Sequence, residues 1–231
     1  MNVHARSAYL FPLAVLAAAA CAAPLAAQSA AAVLARLDAT SNSFRSATAQ
    51  VERVTHTAII NENLIETGHM RMLRSKGSVQ LYIEFTKPDA KSYAVRDRKA
   101  EVYFPKIQTV QEYDFGKQKG LVEQFILLGF GTSGKELAKS YSVKYGGEDS
   151  VGAQKASRLE LTPKSDKTRE YFVRVELWIN AEGRTVRQKF YQPSGDTTTV
   201  TYTNLVWNPA LTPGALSLKL PAGVKREYPQ R

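Results

Sequence analysis

Residues 64–105, LIETGHMRMLRSKGSVQLYIEFTKPDAKSYAVRDRKAEVYFP, are a succession of short apolar runs in which alternate positions share one character. Met70 and Met72 share one parity, Leu81, Ile83 and Phe85 another, and Lys76-Gly77, Pro88-Asp89 and Asp97 break the runs. Side chains of a strand point to opposite faces in turn, so this spacing predicts neighbouring strands with one apolar face each. Arg74 ends the first run on the face of Met70 and Met72. A guanidinium on that face needs a hydrogen-bonding partner, because an unpaired buried charge is costly.

The period of two begins beyond Ser46 and persists almost to the C-terminus. It predicts strands at 46–57, 64–74, 79–87, 91–96, 99–104, 108–114, 141–147, 155–163, 170–180, 184–192, 196–207 and 215–220. In the run at 170–180, Tyr171, Val173, Val175, Leu177 and Ile179 share a face opposite Arg174 and Glu176, predicting one buried and one wet side. Ala181-Glu182-Gly183 and Pro193-Ser194-Gly195-Asp196 read as tight turns, which makes the second half an antiparallel meander.

Two segments depart from this pattern. Ser29 is placed to cap a helix of roughly three to four turns carrying Val33, Leu34, Leu37 and Phe44. Between Gly116 and Lys139, Leu121, Val122, Phe125, Ile126, Leu127 and Leu128 form an apolar stretch of helical length that Gly129 ends and Phe130 follows. Its apolar positions cover more of the circumference than a surface helix needs. Two readings fit: a helix buried on the sheet, or a lid over an apolar cavity.

Residues 1–27 have the order of a secretory signal peptide: His4 and Arg6, an apolar run from Tyr9 to Ala20, then small residues closing at Leu25-Ala26-Ala27. The run, of about 12 residues, is shorter than the roughly 20 of a spanning helix. Cleavage there predicts an exported domain, residues 28–231, of about 200 residues, a routine size for one β domain. That domain has no cysteine, so disulfides and thiolate sites are excluded. A cut before Cys21 is the alternative and would leave an acylated membrane anchor. The net charge of +10 suits acidic partners or anionic membranes. Export, and the scatter of Lys and Arg along alternating strands, argue against nucleic acid.

Motifs for chemistry are weak. Gly129-Phe130-Gly131-Thr132-Ser133-Gly134-Lys135 has the GxxxxGK spacing of a phosphate-binding loop, but Glu136 stands where Ser or Thr would ligate magnesium. The segment reads better as a helix break, with Ser133 and Glu136 forming a capping box. His56 and His69 have no second histidine at ligand spacing, and Glu148-Asp149 and Asp166 read as turn residues. No catalytic residue, metal site or cofactor is assigned, and no enzyme activity is expected. Interleaved aromatic and basic residues, as in Tyr171-Phe172-Val173-Arg174, read as alternate faces of one strand.

The leader, the first helix with Leu37-Asp38 and Phe44, and Gly68-His69-Met70-Arg71-Met72-Leu73-Arg74 together resemble the LolA family of periplasmic lipoprotein carriers. Phe85-Thr86-Lys87-Pro88-Asp89, Val102-Tyr103-Phe104-Pro105 and Leu218-Lys219-Leu220-Pro221-Ala222-Gly223-Val224 follow in the family's order. The resemblance covers nearly the whole mature chain. It implies a mostly β (α+β) fold: a single antiparallel sheet curled into an incomplete barrel, closed by helices.

It also implies a function. Acyl chains of lipoproteins would enter the hollow after release by an inner-membrane ABC transporter complex and leave for an outer-membrane acceptor, the carrier acting as a monomer in the periplasm. Arg74 takes the place of a family arginine that latches the lid when the hollow is empty. Met70, Met72, Leu81, Ile83, Phe85, Val175 and Leu177 become the cavity wall, and Leu121, Phe125 and Leu128 the lid. Ser75 replaces a frequent family proline, and Leu81 and Ile83 replace frequent aromatics. Two other readings stand beside it: a carrier of a different lipid, and a lipoprotein-sensing envelope regulator of the same half-barrel shape.

Overall fold

The computed structural model describes residues 23–75 and 78–229. Cys21 and nearly all of the expected leader lie outside them. Twelve strands form one open sheet: β1 (Ser46–Thr57), β2 (Glu62–Ser75), β3 (Ser78–Lys87), β4 (Lys91–Arg96), β5 (Lys99–Phe104), β6 (Thr109–Asp114), β7 (Tyr141–Val151), β8 (Gln154–Pro163), β9 (Arg174–Asn180), β10 (Thr185–Tyr191), β11 (Thr197–Trp207) and β12 (Lys225–Glu227). Four helices join them: α1 (Ala23–Ser41), α2 (Lys119–Leu127), α3 (Gly134–Ser140) and α4 (Asp166–Arg169).

The strand order is β12-β6-β5-β4-β3-β2-β1-β11-β10-β9-β8-β7. Every pairing is antiparallel except β12 with β6. The chain therefore works outward from β1 to β6, crosses to the far edge at β7, and returns inward until β11 pairs with β1. The expected mostly β sheet, curled but not closed into a barrel, is what forms. The segment between β6 and β7 must span from one edge to the other, and that crossing carries α2 and α3.

Two apolar clusters fill the inner face. One joins Phe44, Ala47, Ala49, Val51, Met70, Met72, Val79, Phe85, Phe130 and Tyr202. The other places Val33 and Leu37 of α1 and Leu137 of α3 over Leu159, Leu161, Val175, Leu177 and Ile179. On the outer face, the chain after β11 packs Leu216 onto Tyr82 and Ala94. A separate outer group joins Trp178 to Val151, Ala156 and Val186.

Several expectations need correction. Ser29 lies inside α1 rather than capping it, since the helix already starts at Ala23; the alanine-rich stretch favours helix, and Pro24 is tolerated in a first turn. The strand expected from residue 170 starts at Arg174, because α4 and a following loop occupy 166–173 and leave Tyr171 and Val173 exposed. Strand β9 is buried on both sides, with Glu176 only 4% exposed and accepting a hydrogen bond from the Tyr191 hydroxyl at 3.0 Å. Glu148 and Asp149 sit within β7, not at a turn. Residues 213–216 form a 3-10 turn, and the last strand is instead the charged Lys225–Glu227.

Candidate binding site on the concave face

The register builds the wall that alternation anticipated. Met70 pairs with Ile83 and Met72 with Leu81, while Ala49 and Ala47 lie opposite the two methionines on β1. Met70, Met72 and Phe85 are each 2% exposed, and Leu81 and Ile83 pack against the same cluster. A bulge at Thr67/Gly68 brings β2 so close to β3 that a Cβ on Gly68 would lie 1.9 Å from the Glu84 carbonyl oxygen. Only glycine fits that approach.

The crossing segment reaches into this wall. Phe130 is 1% exposed and meets the Tyr202 ring edge-on at 4.9 Å, with Trp207 at 6.3 Å and Phe44 at 6.4 Å. Its ring is thus a plug supplied by the protein itself, in contacts that aromatic pairs favour. The left-handed turn at Gly129 (φ +82°) lets the chain double back after α2. The capping box that starts α3 forms as expected: Glu136 N–H donates to Ser133 Oγ at 3.2 Å, and Ser133 N–H to Glu136 Oε2 at 2.8 Å.

Three strand side chains hold the plug by its carbonyls. Thr185 Oγ1 donates to Gly129 O at 2.7 Å, Gln188 Nε2 donates to Leu128 O, and Arg74 Nη1 donates to Gly131 O at 3.2 Å. Arg74 also reaches Ser41 O at 3.5 Å, at the C-terminus of α1, where a cation is favoured by the helix dipole. Gln188 Oε1 in turn accepts from the Tyr202 hydroxyl at 2.7 Å. The carbonyls of the plug are therefore paired, but the attachment is a few side-chain bonds rather than a sheet ladder.

Of the remaining expected site residues, Val175, Leu177 and Leu128 belong to the other cluster. Val175 and Leu177 are fully buried beneath α1 and α3, in the same cluster as Leu128, and not beside Met70 and Met72. Phe125 is half-buried and packs edge-on against Phe172 at 4.9 Å. The side chain of Leu121 lies outside the described residues. A cleft of about 380 Å³ opens beneath α2 and α3, lined by Arg74, Glu123, Gln124, Leu127, Gly131 and Tyr141 among others. Burial pushes the Tyr141 phenol up to about 12, so it stays neutral.

Sequence reasoning did not anticipate the polar side of the site. A bulge between Thr185 and Arg187 breaks the period of two, and so puts Thr185 and Gln188 under one segment. At the other end of the wall Glu66, 1% exposed, is bound by Arg53 Nε at 2.7 Å and Lys91 Nζ at 2.5 Å. The Arg53 guanidinium lies 4.4 Å from the centre of the Phe85 ring. Two cations share one carboxylate there, at the edge of the apolar wall.

No known family profile matches the chain. No curated protein matches it either. Solved structures do. An uncharacterised conserved protein from Thermus thermophilus aligns at TM-score 0.53 and 16% identity, covering 87% of this chain and 99% of that one. LppX, a lipoprotein of Mycobacterium tuberculosis, aligns at TM-score 0.50 and 8% identity, over 80% of this chain and 98% of its own. What these chains share with this one is the single open, curled sheet. MucB shares it at TM-score 0.51 and 16% identity, with 83% of this chain aligned to 63% of MucB. At these identities the likeness is one of fold.

Proposed function

We propose that this protein is a periplasmic, non-enzymatic carrier that takes the acyl chains of lipoproteins into its concave face and moves them from the inner to the outer membrane. The observation that carries this reading is Phe130, an aromatic plug set into an apolar wall and fastened there through three backbone carbonyls. A plug held by a few side-chain bonds can leave, and its departure opens an apolar hollow of the right chemistry. The physical demand is clear: an acyl chain of about 15 methylenes carries on the order of 12 kcal/mol of hydrophobic free energy, which blocks free diffusion through water. A carrier must match part of that energy and still release its cargo.

In this reading Arg74 latches the empty state, Met70, Met72, Leu81, Ile83 and Phe85 form the wall, and the segment from α2 to Phe130 is the lid. An inner-membrane ABC transporter complex would load the monomer, and an outer-membrane acceptor would unload it. The test is recovery of the protein from its native cells: copurifying acylated lipoprotein supports the reading, and protein free of lipid and lipoprotein, even with Arg74→Leu, defeats it. A regulatory reading has one observation in its favour, that MucB, which shares the fold, has been solved in complex with MucA. A bound protein in place of an acylated one in the same recovery experiment would favour it.

A further inference from the structure

Strand register sorts the loops into two rims. The β1–β2 hairpin turn (58–61), the β3–β4 loop (88–90), the β5–β6 loop (105–108), the β8–β9 link (164–173) and the β10–β11 turn (192–196) all lie at one end of the strands. Nine large apolar side chains are exposed among the described residues, and seven belong to this rim. Four are on the β1–β2 hairpin: Ile59 at 92%, Ile60 at 60%, Ile65 at 53% and Leu64 at 46%. Ile107 on the β5–β6 loop, and Tyr171 and Val173 on the β8–β9 link, are the others. The hairpin projects beyond its neighbour, since β3 stops at Lys87, opposite Thr67, and leaves residues 62–66 unpaired on that side.

We propose that this rim docks on a lipid bilayer, sinking Ile59 and Ile60 into the interfacial region. Clusters of exposed aliphatics of this kind mark interaction sites. The geometry selects the bilayer as occupant. The apolar groups stand on three separate loops, carried by strands at the centre and on both sides of a curled sheet, so they form prongs around a rim rather than a groove for one peptide. Residues 57–61, Thr-Ala-Ile-Ile-Asn, carry no charge, so the tip meets lipid without burying an ion. Exposed Lys87, Lys106, Lys164, Lys167 and Arg169 sit on the same rim beside the exposed acids Glu62, Asp89, Asp166 and Glu170, so its charge is mixed, and the lysines lie near the level at which they reach lipid headgroups. The opposite rim has a different character, with Arg45, Arg96, Arg98 and Lys99 exposed. Docking rests on the carrier reading only for its purpose: it would bring the wall that runs from Met72 to Phe85 up to the membrane from which an acyl chain comes.

The test is flotation of the chain from Gln28 onward, which holds all twelve strands, with phosphatidylethanolamine–phosphatidylglycerol vesicles in high salt, where electrostatic adsorption of this basic protein is screened. The expected result is that the protein floats, that Ile59→Ser/Ile60→Ser lowers partitioning about tenfold or more, and that Val206→Ser on the opposite rim changes nothing. In an Ile59→Trp variant, tryptophan emission should shift to the blue on adding vesicles. Protein that stays unbound assigns the rim to a protein partner, a second copy of this chain included, and overturns the proposal. Flotation of the double serine variant equal to that of the unaltered protein overturns it as well. Neither result touches the carrier reading, which fails only if acyl chains do not bind.

Discussion

The guanidinium of Arg74 donates to the carbonyl oxygen of Gly131 at 3.2 Å, joining the end of the methionine-bearing strand to the segment that plugs the concave face. The contact is tight on the other side as well. A Cβ on Gly131 would lie 2.9 Å from the Phe44 ring and 3.2 Å from Arg74 Nη1. The arginine thus favours the closed arrangement through bonds that any opening must break, and any ligand that needs the hollow must overcome them.

Removing the latch should therefore raise affinity for apolar ligands. Arg74→Leu loses charge-assisted bonds to Gly131 O and Ser41 O at a half-exposed site, so the gain should be several-fold, about fivefold in the dissociation constant of a fluorescent acyl probe. Unchanged affinity would remove Arg74 from the account.

Phe130→Ala should cost stability and create space. A buried phenylalanine replaced by alanine typically costs about 3–5 kcal/mol, readable as a lower urea midpoint. The same variant should bind the acyl probe more tightly than the unaltered protein once folded. A loss below about 1 kcal/mol would mean that the ring is not packed as described.

The two polar anchors on β10 should matter through what they leave behind. Thr185→Val strands the Gly129 carbonyl, and Gln188→Leu strands both the Leu128 carbonyl and the Tyr202 hydroxyl. Each buried unsatisfied group costs about 1–3 kcal/mol, so Gln188→Leu should be the more damaging in denaturant titration.

Acid should weaken the hold on β7. The hydroxyl of Tyr145, at 2.6 Å, and then that of Ser157, at 2.8 Å, donate to Glu148 and hold its carboxyl below the ordinary 4.5. Hydrogen bonds from Trp178 and from Ser150 N–H lower Asp149 in the same way. A depressed carboxyl stabilises the fold above its unfolded value and loses that contribution as pH falls through the folded value. Melting temperature should fall as pH drops below roughly 4.5, and Glu148→Gln should flatten that fall. An identical pH profile in the variant would contradict the assignment.

Most of the sheet was legible because alternation and turn residues agree along it. Strands β1, β4 and β5 occupy the ranges read from sequence, and β3 differs by one residue. Errors came where an apolar period had another cause. Tyr171 and Val173 continue the parity of Val175 but belong to an exposed link, and Leu216 and Leu218 pack outside the sheet as a turn. Strand β12 is Lys-Arg-Glu, which carries no apolar signal at all. In the site, the methionine wall and the place of Arg74 were readable from parity. Thr185 and Gln188 were not, because a bulge brings them together, and neither was the placing of Val175 and Leu177 under α1 and α3, which depends on where two helices settle.

The plug should leave the concave face when an acyl chain arrives, and alkylation of a thiol at position 128 reads that departure directly. Leu128 is fully buried, and the chain from Gln28 onward has no other cysteine, so a Leu128→Cys variant reports on this segment alone. Its alkylation should be slow in the empty protein and should accelerate on saturation with an acylated peptide. A rate that stays constant or falls when the acylated peptide binds would contradict the account.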